Sequence, residues 1–207
     1  MPIYSHSSIP KLPPICFIHI PKAGGTTVES FFSAAGFNGF LDPQTYREIK
    51  KYMRNAPAHF DYDQLSGLFK LEYMYVFAVI RNPLNRFISH YLWAASKSNL
   101  RDKVVSMSIS EYAKYAFDRY SENPNFFSSH IKPQVDFVGP KVNDIFKLED
   151  GLELAIKSVL KACGLKADKQ IILPTENKSS SNKPKIDSNT EHLIYDFYKK
   201  DFEVFNY

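Results

Sequence analysis

Two apolar runs without polar alternation stand out in the chain. They are Ile15-Cys16-Phe17-Ile18-His19-Ile20 and Tyr73-Met74-Tyr75-Val76-Phe77-Ala78-Val79-Ile80. Runs of this length, apolar on both faces, predict buried strands of a parallel sheet. The first is followed by Pro21-Lys22-Ala23-Gly24-Gly25-Thr26-Thr27, after which Val28, Phe31, Phe32 and Ala35 recur at helical spacing. Thr26 and Glu29 have the T-x-x-E spacing of a capping box for that helix. The second run ends in Arg81. Asn82 then serves as a cap and Pro83 as the first residue of a helix with Leu84, Phe87, Ile88, Tyr91, Leu92 and Ala95 on its inward stripe.

The remaining pattern is weaker. It predicts a helix around Pro43 to Met53, a short strand or strand end at Ala58-His59-Phe60, and a helix from Ser110 to Asp118. Asp144 to Glu149 reads as a strand, followed by Gly151 and a helix to about Cys163. Ser188 to Glu191 reads as a second capping box, opening a last amphipathic helix with Leu193, Ile194, Phe197, Tyr198 and Phe202. Residues 1–14 form an extended N-terminal segment, and 166–186 a polar, flexible loop. Strands alternating with helices predict an α/β fold: a three-layer sandwich with a central, mainly parallel sheet, P-loop nucleotide-hydrolase-like. At 207 residues one domain is expected. Ligands of such sheets gather at the carboxyl ends of the strands.

Composition narrows the function classes. The net charge of +4 suits an anionic ligand but is too small to argue for nucleic acid. The two cysteines, Cys16 and Cys163, offer neither a disulfide framework nor metal-ligand spacing, and read as buried thiols of a reducing compartment. Nothing resembles a signal peptide or membrane span, so a soluble, cytoplasmic protein without stable membrane insertion is expected.

The Pro21–Thr27 loop has the makings of an anion cradle. Gly24 and Gly25 allow a tight turn and close backbone approach. The helix that follows brings unpaired N–H groups and a partial positive charge, and Lys22 adds a full one. It is not a Walker A loop, whose lysine follows the glycines and whose hydroxyl holds magnesium. Arg81 strengthens the contrast. P-loop enzymes place a metal-organising aspartate near such a strand end, whereas a guanidinium recruits an anion. Ser89, eight residues on, lies about two helical turns away and off the inward stripe, able to join Arg81 on one phosphate. Arg86 reads as a member of a surface ion pair.

Together these residues resemble the PAPS-dependent sulfotransferases, in particular the carbohydrate and heparan-sulfate O-sulfotransferase branch with its small bacterial members. Phe17-Ile18-His19-Ile20-Pro21-Lys22-Ala23-Gly24-Gly25-Thr26-Thr27 is similar to that family's 5′-phosphosulfate loop. Val79-Ile80-Arg81-Asn82-Pro83-Leu84-Asn85-Arg86-Phe87-Ile88-Ser89-His90-Tyr91 is similar to its 3′-phosphate motif. Weaker echoes lie in Phe146–Asp150, Leu173–Ser179 and Tyr198–Tyr207. The resemblance implies PAPS as co-substrate, PAP as product and no required metal. Lys22, Ala23, Gly24, Gly25, Thr26, Thr27, Arg81 and Ser89 would bind the donor, with Lys22 also catalytic. The reaction implied is in-line sulfuryl transfer to a hydroxyl of a saccharide or glycoconjugate.

A hydroxyl acceptor needs a base. His59, between the two donor motifs, matches the place of a catalytic histidine in related carbohydrate sulfotransferases. His130 is second choice, with a place lining the acceptor cleft as its other reading, and Glu29 and Glu48 stay open because some relatives use glutamate. His19 and His90 read as structural, while His6 and His192 lie in a tail and a terminal helix. Tyr62, Trp93, Tyr112, Tyr115 and Phe127 are core residues or sugar-stacking surfaces. Two other functions compete: a small-molecule kinase with an altered P-loop, and a non-catalytic PAP- or nucleotide-binding module. Acceptor identity and oligomeric state are not legible.

Overall fold

A computed structural model describes residues 3–9, 11–40, 52–53, 56–97, 101–165, 173 and 184–207. The expected helix around Pro43 to Met53, the 166–186 loop and Glu48 fall wholly or largely outside these residues.

Among the described residues, five strands form one sheet in the order Asn38–Phe40, Ile3–Ser5, Ile15–Ile18, Tyr75–Ile80, Asp144–Lys147. β1 (Ile3–Ser5) and β2 (Ile15–Ile18) pair antiparallel, and helix α1 (Gly25–Ala34) leads to β3 (Asn38–Phe40), antiparallel to β1. After the short helix α2 (Tyr62–Ser66), β4 (Tyr75–Ile80) runs parallel to β2. Three helices follow: α3 (Pro83–Lys97), α4 (Arg101–Val105) and α5 (Ile109–Glu122). β5 (Asp144–Lys147) then adds parallel to β4, before α6 (Leu152–Ala162), α7 (Ser188–Phe197) and α8 (Lys199–Phe205). The centre of the sheet is therefore parallel, with an antiparallel edge built by the short β1 and β3.

Alternation along the central strands divides the core. Ile15, Phe17, Phe77 and Val79 face α1 and α6, meeting Val28, Phe32, Ile156 and Val159. Cys16, Ile18, Val76, Ala78 and Ile80 face the opposite way, toward Leu65, Leu71, Phe137 and Phe205. Helical layers thus cover both faces. A third cluster joins α3, α5, α7 and α8 through Phe87, Tyr112, Ile194 and Tyr198. Each large side chain so buried contributes roughly 1.5–3 kcal/mol before conformational entropy is subtracted.

Several local expectations change. The first strand stops at Ile18, because the Ile20 amide turns back to the Ile18 carbonyl and begins the loop. Pro57–His59 is a turn of 3-10 helix rather than a strand, with proline pre-setting its first position. Asp187, not Ser188, caps α7 by accepting the Thr190 amide. The terminal helix is broken at Tyr198, whose hydroxyl donates to the Ile131 carbonyl. Asn82 caps α3 as expected, accepting the Asn85 amide at 3.1 Å.

Candidate active site

The carboxyl ends of β2, β4 and β5 converge on the Pro21–Thr27 loop. Lys22 lies in the left-handed region (φ 69), costing a non-glycine residue about 1–3 kcal/mol, and Gly24 follows at φ 86. A Cβ on Gly24 would sit 2.9 Å from Leu148 Cδ1, and one on Gly25 only 2.1 Å from His19 Nε2. Both glycines are therefore fixed by close approach. α1 starts at Gly25 with Gly24 as its N-cap and no side-chain cap bond. The expected Thr26–Glu29 capping box does not form. Instead, Glu29 Oε1 accepts from His19 Nδ1 at 2.8 Å. Burial acts to raise the Glu29 carboxyl, but the hydrogen bond and charge of His19 oppose it, and the net result is a value held below the usual carboxylate range.

Two arginines hold the loop by its carbonyls. Arg81 Nη1 donates to the Lys22 carbonyl at 3.2 Å, and Arg86 Nε to that of Pro21 at 3.0 Å. Arg86 also donates through Nη2 to the carbonyls of His130 (3.1 Å) and Lys132 (2.9 Å), and is 1% exposed. The surface ion pair expected for Arg86 is thus a buried strut, which chain order alone did not reveal. The Ala23 amide bonds to the Ile20 carbonyl and the Thr27 amide to that of Gly24, so both are occupied inside the loop. The amides of Gly25 and Thr26 have no acceptor within the helix.

Arg81 is half-buried, and its backbone is clamped by Gln134. The Arg81 amide donates to Gln134 Oε1 (2.9 Å), and Gln134 Nε2 donates to the Arg81 carbonyl (2.7 Å). Asp201 on α8 in turn accepts the amides of Gln134 and Val135. Burial lowers the Arg81 guanidinium from its usual value, while Glu149 and Tyr207 act in the opposite direction. Glu149 accepts the Asn82 amide and the Tyr207 hydroxyl, bringing two of the weaker sequence echoes, Phe146–Asp150 and Tyr198–Tyr207, to the same end of the sheet. Ser89 is half-buried on α3, one turn before Trp93, whose ring lies 5.8 Å from Lys22 Nζ.

His59 stands beside this loop. Its Nδ1 lies 2.9 Å from the Ser128 carbonyl, which can only accept, so Nδ1 carries the proton and the neutral ring keeps its lone pair on Nε2. The carbonyl is presented by three successive non-glycine residues in the left-handed region, Phe127, Ser128 and Ser129. Ser128 Oγ also accepts the Ala56 amide at 3.1 Å, tying this turn to the segment that carries His59. The His59 ring centroid is 5.3 Å from His19 and 4.9 Å from His130. Of the other aromatics weighed, Tyr62 and Tyr112 are core residues and Tyr115 lies under Lys103, while Trp93 and Phe127 pack around His130 and His90. Among the described residues, no group of three or more His, Cys, Asp and Glu side chains converges to hold a metal ion.

Fold and site define an α/β protein with a lysine-bearing, arginine-braced loop at the carboxyl ends of its parallel strands. A profile of the sulfotransferase family matches residues 9–207, and the chain belongs to that family. No curated protein and no solved structure matches the chain. Among the described residues, no helix is long and apolar enough to cross a membrane.

Proposed function

We propose that the protein is a PAPS-dependent O-sulfotransferase acting on a hydroxyl of a saccharide or glycoconjugate, with His59 as general base. The observation that carries this reading is that one loop is joined to both other parts of the machinery. Arg81 bonds the Lys22 carbonyl, and His19, packed on Gly25, touches His59. The chain supplies features that fit the donor: the α1 amides of Gly25 and Thr26 without a side-chain cap, Lys22 beside them, and a second cation in Arg81 with Ser89 on the following helix. The phosphosulfate suits the first set and the 3′-phosphate the second.

In the proposed reaction the acceptor oxygen attacks sulfur as the bond from sulfur to the 5′-phosphate oxygen breaks. His59 Nε2 takes the hydroxyl proton, and the Ser128 carbonyl holds the imidazole in the tautomer that can do so. Lys22 and the loop amides stabilise the charge growing on the departing phosphate oxygen. By analogy with phosphoryl transfer, most of the acceleration comes from positioning and electrostatics, which the braced loop supplies without rearrangement. This assignment also carries the P-loop-like character of the fold. The test is transfer of label from PAPS to a panel of saccharides, with PAP as the second product; ATP turnover with magnesium and no PAPS use would overturn it.

A further inference from the structure

Four imidazoles form a row across the site: His19 beside His59, His59 4.9 Å from His130, and His130 5.3 Å from His90. The reaction above uses one of them. The far end of the row fixes the proton positions of His90 and His130. Tyr112 is fully buried, burial pushes its phenol far up, and its oxygen lies 2.6 Å from His90 Nε2. A buried O–H needs an acceptor, so Tyr112 donates to His90 Nε2. Burial, then the charges of Lys22 and Arg86, keep His90 neutral, which leaves its proton on Nδ1. That nitrogen lies 3.3 Å from His130 Nδ1, which must therefore accept. The proton of a neutral His130 ring is then on Nε2.

We propose that His130 is a second catalytic histidine, one that gives its Nε2–H to an oxygen of the sulfuryl group on the donor and takes no proton itself. The assignment rests on the donor reading above. His130 lies beside the base and beside the ring that carries the cation: it is 4.9 Å from His59 and 4.6 Å from Trp93, over which Lys22 Nζ lies at 5.8 Å. A sulfuryl group in transit must lie between that base and that cation. Burial first, then His59, His90, Lys22 and Arg86, hold His130 far below the usual histidine value, so it is a poor base in this setting. A neutral donor also adds a directed bond without a second full charge beside Lys22. Its backbone is fixed, with the carbonyl held by Arg86 and the preceding turn by Ser128. PAP lacks the sulfuryl group, so the contact separates donor from product.

Trp93 is the only tryptophan and touches His130, so its fluorescence reports nucleotide binding at the site. The full chain is titrated with PAPS and with PAP in acceptor-free buffer. Wild type binds PAPS more tightly than PAP. His130→Ala loses about tenfold of that preference, as expected for one hydrogen bond to a charged group, while PAP affinity stays within about twofold. His130→Gln, which keeps an N–H donor, restores the preference. An unchanged preference in His130→Ala overturns the assignment. So does an equal loss for both nucleotides that His130→Gln does not relieve. Nitrogen-15 imidazole spectra of the wild type need no variant: His130 is neutral and protonated at Nε2 from pH 8 to 5, and an Nδ1–H or titrating ring overturns the proposal. Wild type with no affinity for either nucleotide overturns the donor reading itself.

Discussion

Arg81 Nη1 reaches the Lys22 carbonyl at 3.2 Å, joining the end of β4 to the anion loop by a direct hydrogen bond. The residue read as the 3′-phosphate ligand therefore also braces the 5′ loop. Arg81→Ala is expected to weaken both PAP and 5′-AMP, but PAP more, because only PAP loses a charged contact. The excess loss is about 1.5–3 kcal/mol, the range for hydrogen bonds to charged groups. Calorimetry with the two nucleotides checks it, and equal losses would remove the 3′-phosphate assignment while leaving the bracing role.

His59→Ala should reduce transfer by roughly 10²–10⁴, the usual contribution of a positioned base, with PAP binding unchanged. Full activity in His59→Ala would exclude it as the base.

Gly25→Ala places a methyl 2.1 Å from the His19 ring, which is buried between Phe17 and His59 and bonded to Glu29. Alanine favours a helix over glycine by about 1 kcal/mol, but overpacking costs about 1–3 kcal/mol and the ring has no room to retreat. The melting temperature and PAP affinity should both fall. Gly67→Ala is the control, since its nearest contact would be an ordinary 3.4 Å. Matching melts for the two variants would show that His19 yields easily.

His90 and His130 are buried with values held well below 6.5, by burial first and then by neighbouring positive groups. Their neutral forms support the fold above the unfolded value, and that support is lost as pH falls below it, because the unfolded chain binds protons the native chain refuses. Each histidine can add about 1.4 kcal/mol per pH unit in that window. Glu29, also held low, acts the same way at lower pH: its contribution stands above the ordinary value of 4.5 and fades below it. Thermal melts should fall steadily from pH 7 to 5, with a shallower slope in His130→Gln. A flat profile would mean these rings are protonated in the native state.

Much of the architecture was legible because local chemistry dictated it. Ile15–Ile18 and Tyr75–Ile80 are apolar on both faces, and only a central strand satisfies that pattern. Asn82 and Pro83 marked the start of α3 by cap and fixed φ. What stayed hidden depends on distant partners. β1 and β3 span three residues each, too short for a period to register. Thr26 and Glu29 have capping-box spacing, but the αL cap at Gly24 starts the helix two residues too early for Thr26 to serve. Arg86 reads as a surface residue until the carbonyls of Pro21, His130 and Lys132 are seen around it. Gln134 and Ser128, which position Arg81 and His59, had no motif to announce them, since each works across more than fifty residues of chain.

The proposed donor site grips both ends of PAPS. Its most direct test is calorimetric titration of the full chain, without added metal, against PAP, ADP and 5′-AMP. The two proposed anion sites, at Lys22 and Arg81, predict that PAP binds at least about tenfold more tightly than 5′-AMP or ADP. Equal affinity for the three, or binding of magnesium–ATP with none for PAP, would contradict the account.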